Sequence, residues 1–297
     1  MHRRGREATG FAPHHRGRQR IKRRIHRSPL EIIAAEIDVV RQREGLYRMP
    51  KLRICVATAT LAALVIAAVA SAADAPAPRP VVTISAQVSP GQRPIPRGTP
   101  LTLRLNTTFE SVPAGGNFVL LHADYMFGKG ARFNGRLFPS CSAARLRAAH
   151  GRLSACPPGS KIGTGVATGR AVAVGITSSG RMTIFNGPGG RSIVLNFVVI
   201  NPALINATFQ APIVRVHGGR YAFKLSTSVP PELQRILDGD VVVQRIDIST
   251  GATRMIDGRR RGYYEAGSCP QHGGSAIHGD FELNQGASAV ADESVVC

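Results

Sequence analysis

Apolar and polar residues alternate along most of the chain after residue 80. The alternation is clearest in four stretches, 82–88, 101–105, 193–199 and 221–225. A period of two sends successive side chains to opposite faces of the backbone, which is typical of a half-buried strand. Further strands are predicted at 118–121, 165–174, 181–185, 213–216, 241–248, 262–265, 279–283 and 289–296.

Turn residues separate these stretches, and helical pattern is scarce. Pro and Gly clusters such as 187–190 mark the turns between strands. One short helix is predicted over 142–149, capped by Ser142 and ended by Gly151, and another turn or two over 231–237. Many short strands with few helices predict an all-β fold, a Greek-key β-sandwich with one or two short helices, in one or two domains over 81–297.

The segment from Met49 has the three parts of a secretory signal peptide. Residues 49–53 are basic, 54–69 carry no charge, and Ala70-Ser71-Ala72 is a small-residue cleavage site. We therefore predict a signal peptide over 49–72 and a Pro/Ala-rich spacer over 73–80. The predicted location is secreted, extracellular or in the cell envelope.

Residues 1–48 precede this signal and allow two interpretations. In the first, translation starts at Met49 and residues 1–48 are a misassigned, disordered upstream extension. In the second, residues 1–48 form a cytoplasmic tail before a membrane anchor at 54–72. Ser28-Pro29-Leu30-Glu31 has the pattern of a helix capping box, which favours a real tail. The Ala- and Thr-rich composition of 54–72 and its cleavage site favour the upstream extension.

The net charge is smaller when the predicted signal peptide and the residues before it are left out. The whole chain has a formal net charge of +20. Residues 73–297 hold 23 Lys and Arg against 13 Asp and Glu, a net charge of +10, and only Arg259-Arg260-Arg261 forms a run. Attraction to an anionic cell-wall polymer or a membrane surface is the partner prediction. Nucleic acid is not predicted, because the chain has no Trp and few aromatic residues for base stacking.

The cysteines predict two disulfides. Cys55 lies in the signal peptide, which leaves Cys141, Cys156, Cys269 and Cys297. An even number in an exported chain is typical of disulfide bonds. Three pairings are possible, and we predict the two local ones, Cys141–Cys156 and Cys269–Cys297. Each closes a short loop and is worth about 3–4 kcal/mol in the loop-entropy model.

Recognisable catalytic motifs are absent from the sequence. It has no Gly-x-Ser-x-Gly elbow of a serine hydrolase and no His-Glu-x-x-His of a metalloprotease. A zinc site from Cys269, His272, His278 and Cys297 fits no common ligand spacing. We therefore predict no cofactor, no metal and no assigned catalytic residue.

Two His-x-Asp triplets are the remaining candidates for a site. In His122-Ala123-Asp124 and His278-Gly279-Asp280, strand alternation puts the histidine and the carboxylate on one face. Such a pair supports acid–base or metal chemistry, and it is also a common surface hydrogen bond. The first hypothesis is a non-catalytic exported interaction module of unknown ligand. The alternative is a secreted hydrolase or metal-dependent enzyme that uses His122/Asp124 or His278/Asp280.

Three segments together carry a resemblance to a known group of proteins. They are residues 132–142, 155–165 and 184–188, which include Phe138-Pro139-Ser140-Cys141, Cys156-Pro157-Pro158-Gly159 and Phe185-Asn186-Gly187-Pro188. Over residues 81–297 the chain resembles uncharacterised secreted β-rich proteins of GC-rich Gram-positive actinobacteria. The resemblance implies export, a Cys141–Cys156 disulfide and an all-β fold, and it implies no activity.

Overall fold

The computed structural model describes residues 76–90, 95–267 and 274–295, and short strands dominate it. Within these residues the strands are β1 (Arg79–Ser89), β2 (Thr102–Val112), β3 (Leu120–Gly128), β4 (Ala131–Phe133), β5 (Lys161–Ala171), β6 (Ile176–Asn186), β7 (Ser192–Val199), β8 (Ile205–Arg215), β9 (Tyr221–Ser228), β10 (Arg235–Ile236), β11 (Gly239–Thr250), β12 (Thr253–Ile256), β13 (Arg259–Gly262), β14 (Tyr264–Ala266), β15 (Ser275–Leu283) and β16 (Ser288–Val295). The helices described are α1 (Ala143–Ala148) and α2 (Pro231–Gln234). The all-β class with one or two short helices is confirmed.

Most strands join one antiparallel sheet. Its order is β1-β2-β11-β5-β6-β7-β8-β9-β3-β15-β16, and β10 pairs with β11. The two edge strands, β1 and β16, lie beside each other, so the sheet curls until it is nearly closed. Small two-stranded sheets, β12-β13 and β14-β4, flank it. The predicted sandwich and Greek-key connection are not confirmed, because alternation within a strand carries no information on which strand it pairs with.

The apolar face of each strand points to the inside of the curled sheet. On β3, for example, Ala123, Tyr125 and Phe127 are buried, whereas His122 and Asp124 alternate with them on the outer face. One part of the core lies between β1, β2, β3, β15 and β16, and another between β5, β6, β7 and β8. The alternation seen in the sequence therefore separates an apolar interior from a polar exterior.

Two strands are longer than predicted. The prediction ended them too early because some of their inward-facing positions hold polar residues or glycine instead of apolar side chains. Strand β2 runs on to Val112, since the buried Thr107 is accommodated by a 3.0 Å hydrogen bond to the Tyr125 hydroxyl. Strand β5 starts at Lys161 and includes Gly163 and Gly165. A Cβ at these glycines would lie 2.5 Å from the Ser249 oxygen and 2.6 Å from the Asp247 oxygen, so these positions take glycine within the strand.

Three other predictions can be compared with the structure. The predicted strand 165–174 ends early, because Val172–Val174 form a 3-10 turn. The predicted helix at 142–149 is confirmed as α1, in which the Ser142 hydroxyl accepts a 3.2 Å hydrogen bond from the Arg145 backbone N–H. The predicted spacer over 73–80 overlaps β1, which begins at Arg79.

The Cys141–Cys156 disulfide is present and closes a loop that contains α1. Its two Cα atoms are 5.3 Å apart, and both cysteines are buried. The predicted Cys269–Cys297 disulfide, the signal peptide over 49–72 and residues 1–48 lie outside the described residues. Among the helices that the structure describes, none has the length and apolar character needed to cross a membrane.

Candidate functional site

His122 and Asp124 lie in a polar cluster on the outer face of β3 and β9. The His122 Nε2 is 3.0 Å from Asp124 Oδ1, and its Nδ1 is 3.1 Å from the Ser228 hydroxyl. The Ser226 hydroxyl donates to Asp124 Oδ1 at 2.5 Å, and Lys224 Nζ donates to Asp124 Oδ2 at 2.8 Å. The structure therefore brings this predicted pair together and adds three residues from the neighbouring strand.

The Asp124 carboxylate is held in its charged form. Burial alone would raise its pKa, but hydrogen bonds from Lys224, Ser226 and His122 outweigh this effect, so the pKa lies below the ordinary value for aspartate. Both oxygens of the carboxylate have partners within the cluster. The cluster is thus a satisfied hydrogen-bonded network.

The order Ser228, His122, Asp124 is similar to a nucleophile, a base and an orienting acid. Acyl transfer also needs free N–H donors that stabilise an oxyanion. Strand β3 pairs with β9 on one side and with β15 on the other, so its ladder occupies the backbone groups around His122. Within the described residues, the ladder of β3 therefore leaves no free backbone N–H beside His122 for an oxyanion hole.

The second predicted pair is arranged differently from the expectation. His278 and Asp280 share the outer face of β15, as predicted, but the carboxylate that His278 contacts is Asp292 of β16, at 2.9 Å from Nδ1. Arg220 also binds Asp292, at 3.0 Å. Asp280 lies opposite Asp124 across the β3–β15 pair. Among the described residues, no group of three or more His, Cys, Asp or Glu is arranged to hold a metal ion.

A cavity of about 140 Å³ lies on the inner face of the same strands. Its walls come from β3, β5 to β9 and β11, and they are almost entirely apolar. Leu195 and Phe197 of β7, Leu225 of β9 and Ile246 of β11 are typical wall residues. Strand alternation thus places the predicted His122 cluster outside the sheet and an apolar cavity inside it.

Few polar atoms line this cavity, and the buried hydroxyl among them already has a hydrogen-bond partner. Tyr125 lines the wall, and its hydroxyl pairs with Thr107 at 3.0 Å. Burial raises the pKa of Tyr125 to about 12, although the Thr107 hydrogen bond opposes this, so the phenol stays neutral near pH 7. The cavity accordingly suits an uncharged or largely apolar molecule.

Small inner-face residues create the space. Ala167, Gly169 and Ala171 alternate along β5 and line the cavity, whereas the Phe197 ring occupies the space above Gly180 of β6. The small side chains of β5 leave part of the interior unfilled. The larger side chains of β7 and β11 form the rest of the lining. Sequence reasoning missed this site, although a run of Ala and Gly at every second position of a strand was a visible signal.

One end of the cavity is bordered by the segment that joins β9 to β11. Val229, Leu233 of α2 and Ile236 of β10 line this border. Ala171 at the end of β5 and Val199 at the end of β7 line the same end. We call this end of the sheet, with the turns that follow β5, β7 and β10, the mouth end.

No protein-family model, curated protein or solved structure matches this chain.

The outer face of β2, β11, β5 and β6 forms a polar groove of about 690 Å³. Arg104, Arg181 and Arg245 line it together with hydroxyl and amide side chains. Arg245 is neutralised by Asp247, at 2.8 Å, whereas Arg104 and Arg181 have no ion-pair partner among the described residues. Their positive charge is available to an anionic group in this groove.

The Arg259-Arg260-Arg261 run lies on β13, and part of it is structural. Arg261 Nε donates to the buried Glu265 carboxylate at 2.9 Å, and the Gly262 backbone N–H donates to the same oxygen at 2.9 Å. Burial alone would raise the pKa of Glu265, but these partners outweigh it and lower the pKa. The run is therefore a weaker anion site than its sequence indicates.

Proposed function

We propose that this chain is a non-catalytic, exported binding protein that holds a small apolar ligand inside its sheet. The observation that supports this is the apolar cavity of about 140 Å³ between the inner faces of β3, β5 to β9 and β11. Apolar cavities of roughly 150 Å³ stay dry and bind molecules such as benzene. The proposal gives the interaction module predicted from the sequence a definite ligand class.

The energetics favour a ligand in this space over an empty cavity. Burial of apolar surface contributes roughly 25 cal/mol per Å². An unfilled cavity loses dispersion contacts along its whole lining. Because the wall residues Leu195 and Phe197 are already buried, a ligand gains contacts with them at little desolvation cost to the protein.

The hydrolase alternative has weaker support. The His122–Asp124–Ser228 network lies on the outer face of the sheet, away from the apolar cavity. A hydrolase that acts on an apolar substrate needs its base and nucleophile beside the binding site. We therefore propose that the network fastens β3 to β9.

Export is the second part of the proposal. It is supported by the Cys141–Cys156 disulfide, since disulfides persist in oxidising compartments. We expect protein recovered from the native culture medium to have the intact mass of a chain that begins near Ala73, with four hydrogens gained on reduction. A cell-bound species that retains residues 1–48 would contradict cleavage.

The predicted attraction to an anionic cell-wall polymer is proposed to act at the outer groove. If an anionic wall polymer binds, the groove with Arg104 and Arg181 is where its charges find unpaired guanidinium groups. Such binding retains an exported protein near the cell envelope and leaves the interior cavity free. Ligand holding and retention thus use separate surfaces.

Ligand binding is tested by filling the cavity. We expect benzene to bind the wild-type protein in isothermal titration calorimetry and Ala167→Phe to abolish this binding, because Ala167 lines the cavity. Val166→Phe is the matched control, since Val166 is the next residue of β5 and faces outward. The control should bind benzene as the wild type does. Equal binding by both variants would show that benzene lies elsewhere.

A further inference from the structure

Three turns come together at the mouth end. Ala171, the last residue of β5, pairs with Ile176 of β6 and with Val241 near the start of β11. Val199, the last residue of β7, pairs with Ile205 of β8. The β5–β6, β7–β8 and β10–β11 turns therefore project from the same end of the sheet.

Each of these turns exposes large apolar side chains. Ile200 and Leu204 of the β7–β8 turn are 74% and 77% exposed, and Leu237 of the β10–β11 turn is 56% exposed. Val174 and Ile176 at the β5–β6 turn are also exposed. Five of the eleven exposed large apolar residues described thus lie at one end, and the two most exposed are among them. Clustered exposure of this kind marks an interaction site.

The exposed turns are continuous with the lining of the cavity. Ala171 and Val241 border the cavity and adjoin the β5–β6 and β10–β11 turns, and Val199 borders it directly before Ile200. The Ser178 hydroxyl bonds to the Asn201 carbonyl, which ties the β5–β6 and β7–β8 hairpins together close to their tips. An apolar molecule at these tips is therefore adjacent to the apolar wall inside.

We propose that the mouth end docks on a lipid surface and takes up its apolar ligand there. This inference rests on the proposed function. The clustered apolar residues project from the tips of three neighbouring turns, which suits shallow insertion among acyl chains better than a flat protein interface. An apolar ligand is also concentrated in lipid. The lipid that binds the turns can therefore supply the ligand as well.

The charges at this end indicate that the docking is apolar. Arg170, Arg181 and Arg235 lie at this end, and Arg181 lines a surface pocket together with Ile200 and Asn201. Glu232, Asp238 and Asp240 lie between β9 and the start of β11. The local charge is therefore close to balanced, in contrast to the net +10 of residues 73–297. Binding should need no anionic lipid and should change little between about 0.1 M and about 0.5 M NaCl.

The test is co-sedimentation of the protein with phosphatidylcholine vesicles. We expect binding by the wild type and a fall of about a hundredfold in the partition coefficient for Ile200→Ser/Leu204→Ser, since each side chain loses its apolar insertion. The matched control is Met255→Ser/Val214→Ser, which removes exposed apolar residues from the small β12-β13 sheet and from the far end of β8, both outside the mouth end. It should bind vesicles as the wild type does.

Benzene calorimetry separates the possible failures. If the Ile200→Ser/Leu204→Ser variant and the wild type sediment equally, or if the wild type needs phosphatidylglycerol in the vesicles, apolar docking is wrong, while benzene binding still supports the cavity. If the wild type binds no benzene, the proposed function itself fails. Unchanged benzene binding by the double variant also shows that it folds, since the cavity walls are intact.

Discussion

Asn186 shows how a single residue can connect three segments that are distant in the sequence. It is fully buried at the end of β6, and its Nδ2 donates to the carbonyls of Gly135, Phe138 and Pro139 at 2.9, 3.0 and 3.1 Å. Its backbone N–H donates to the backbone carbonyl of Ser160 at 2.8 Å. The segments 132–142, 155–165 and 184–188 therefore meet at this side chain.

We expect Asn186→Ala to lower the free energy of unfolding by about 3 kcal/mol, because buried carbonyls lose their donor. Asn186→Asp should cost more, since a carboxylate cannot donate to these oxygens. Denaturant unfolding measures both changes. Asn206→Ala is the control, because the exposed Asn206 donates to the His150 carbonyl at 3.0 Å and accepts from Asn196 at 2.8 Å, while Asn196 keeps Thr208 as a second partner at 3.1 Å, so the loss should be about 1 kcal/mol. Equal losses for Ala at both positions would contradict the role of Asn186.

Sequence reasoning at this scale found the residues and missed their contacts. It grouped the segments that contain Asn186 and Cys141, and it placed His122 and Asp124 on one face of a strand, as the structure does. It did not find Asp292 as the partner of His278, because that contact depends on the register of β15 against β16. Contacts between strands depend on pairing, which no single strand encodes.

At the scale of elements, the loop that carries α1 depends on its disulfide. Cys141 precedes α1 and Cys156 follows it, and Leu146 of α1 is fully buried against the sheet. The sequence predicted both the helix and this local pairing, since Ser142 is a clear N-cap and the enclosed loop is short. Local signals were sufficient here because every contact involved lies within a short stretch of the chain.

We expect Cys141→Ala/Cys156→Ala to lower the free energy of unfolding by about 3 kcal/mol, as the loop-entropy model gives for a separation of 15 residues. For a domain of this size the melting temperature should fall by about 6–12 °C. Scanning calorimetry with and without dithiothreitol checks this. If dithiothreitol lowers the melting temperature of the double variant as much as that of the wild type, the stability lost on reduction does not come from the Cys141–Cys156 disulfide.

At the scale of the whole molecule, the sequence predicted strands and an apolar interior but not the curled sheet or its cavity. The cavity needs Ala167 and Gly169 of β5 to share one lining with Leu195 and Phe197 of β7, which is two strands away in the sheet, and that arrangement follows from the strand order. Sequence reasoning assigned no role to the small residues Ala167, Gly169 and Ala171 of β5. Their effect on the interior appears only when eleven strands are placed side by side.

The central claim is that an apolar ligand binds inside the sheet, and methyl NMR during a benzene titration tests it most directly. We expect the methyl signals of Leu195, Leu225 and Ile246 to shift and saturate together, because these side chains line the cavity. The methyl groups of Val166 and Val290, exposed on the outer face, should not move. Inner signals that stay unchanged up to the solubility limit of benzene, or outer signals that shift equally, would contradict the account.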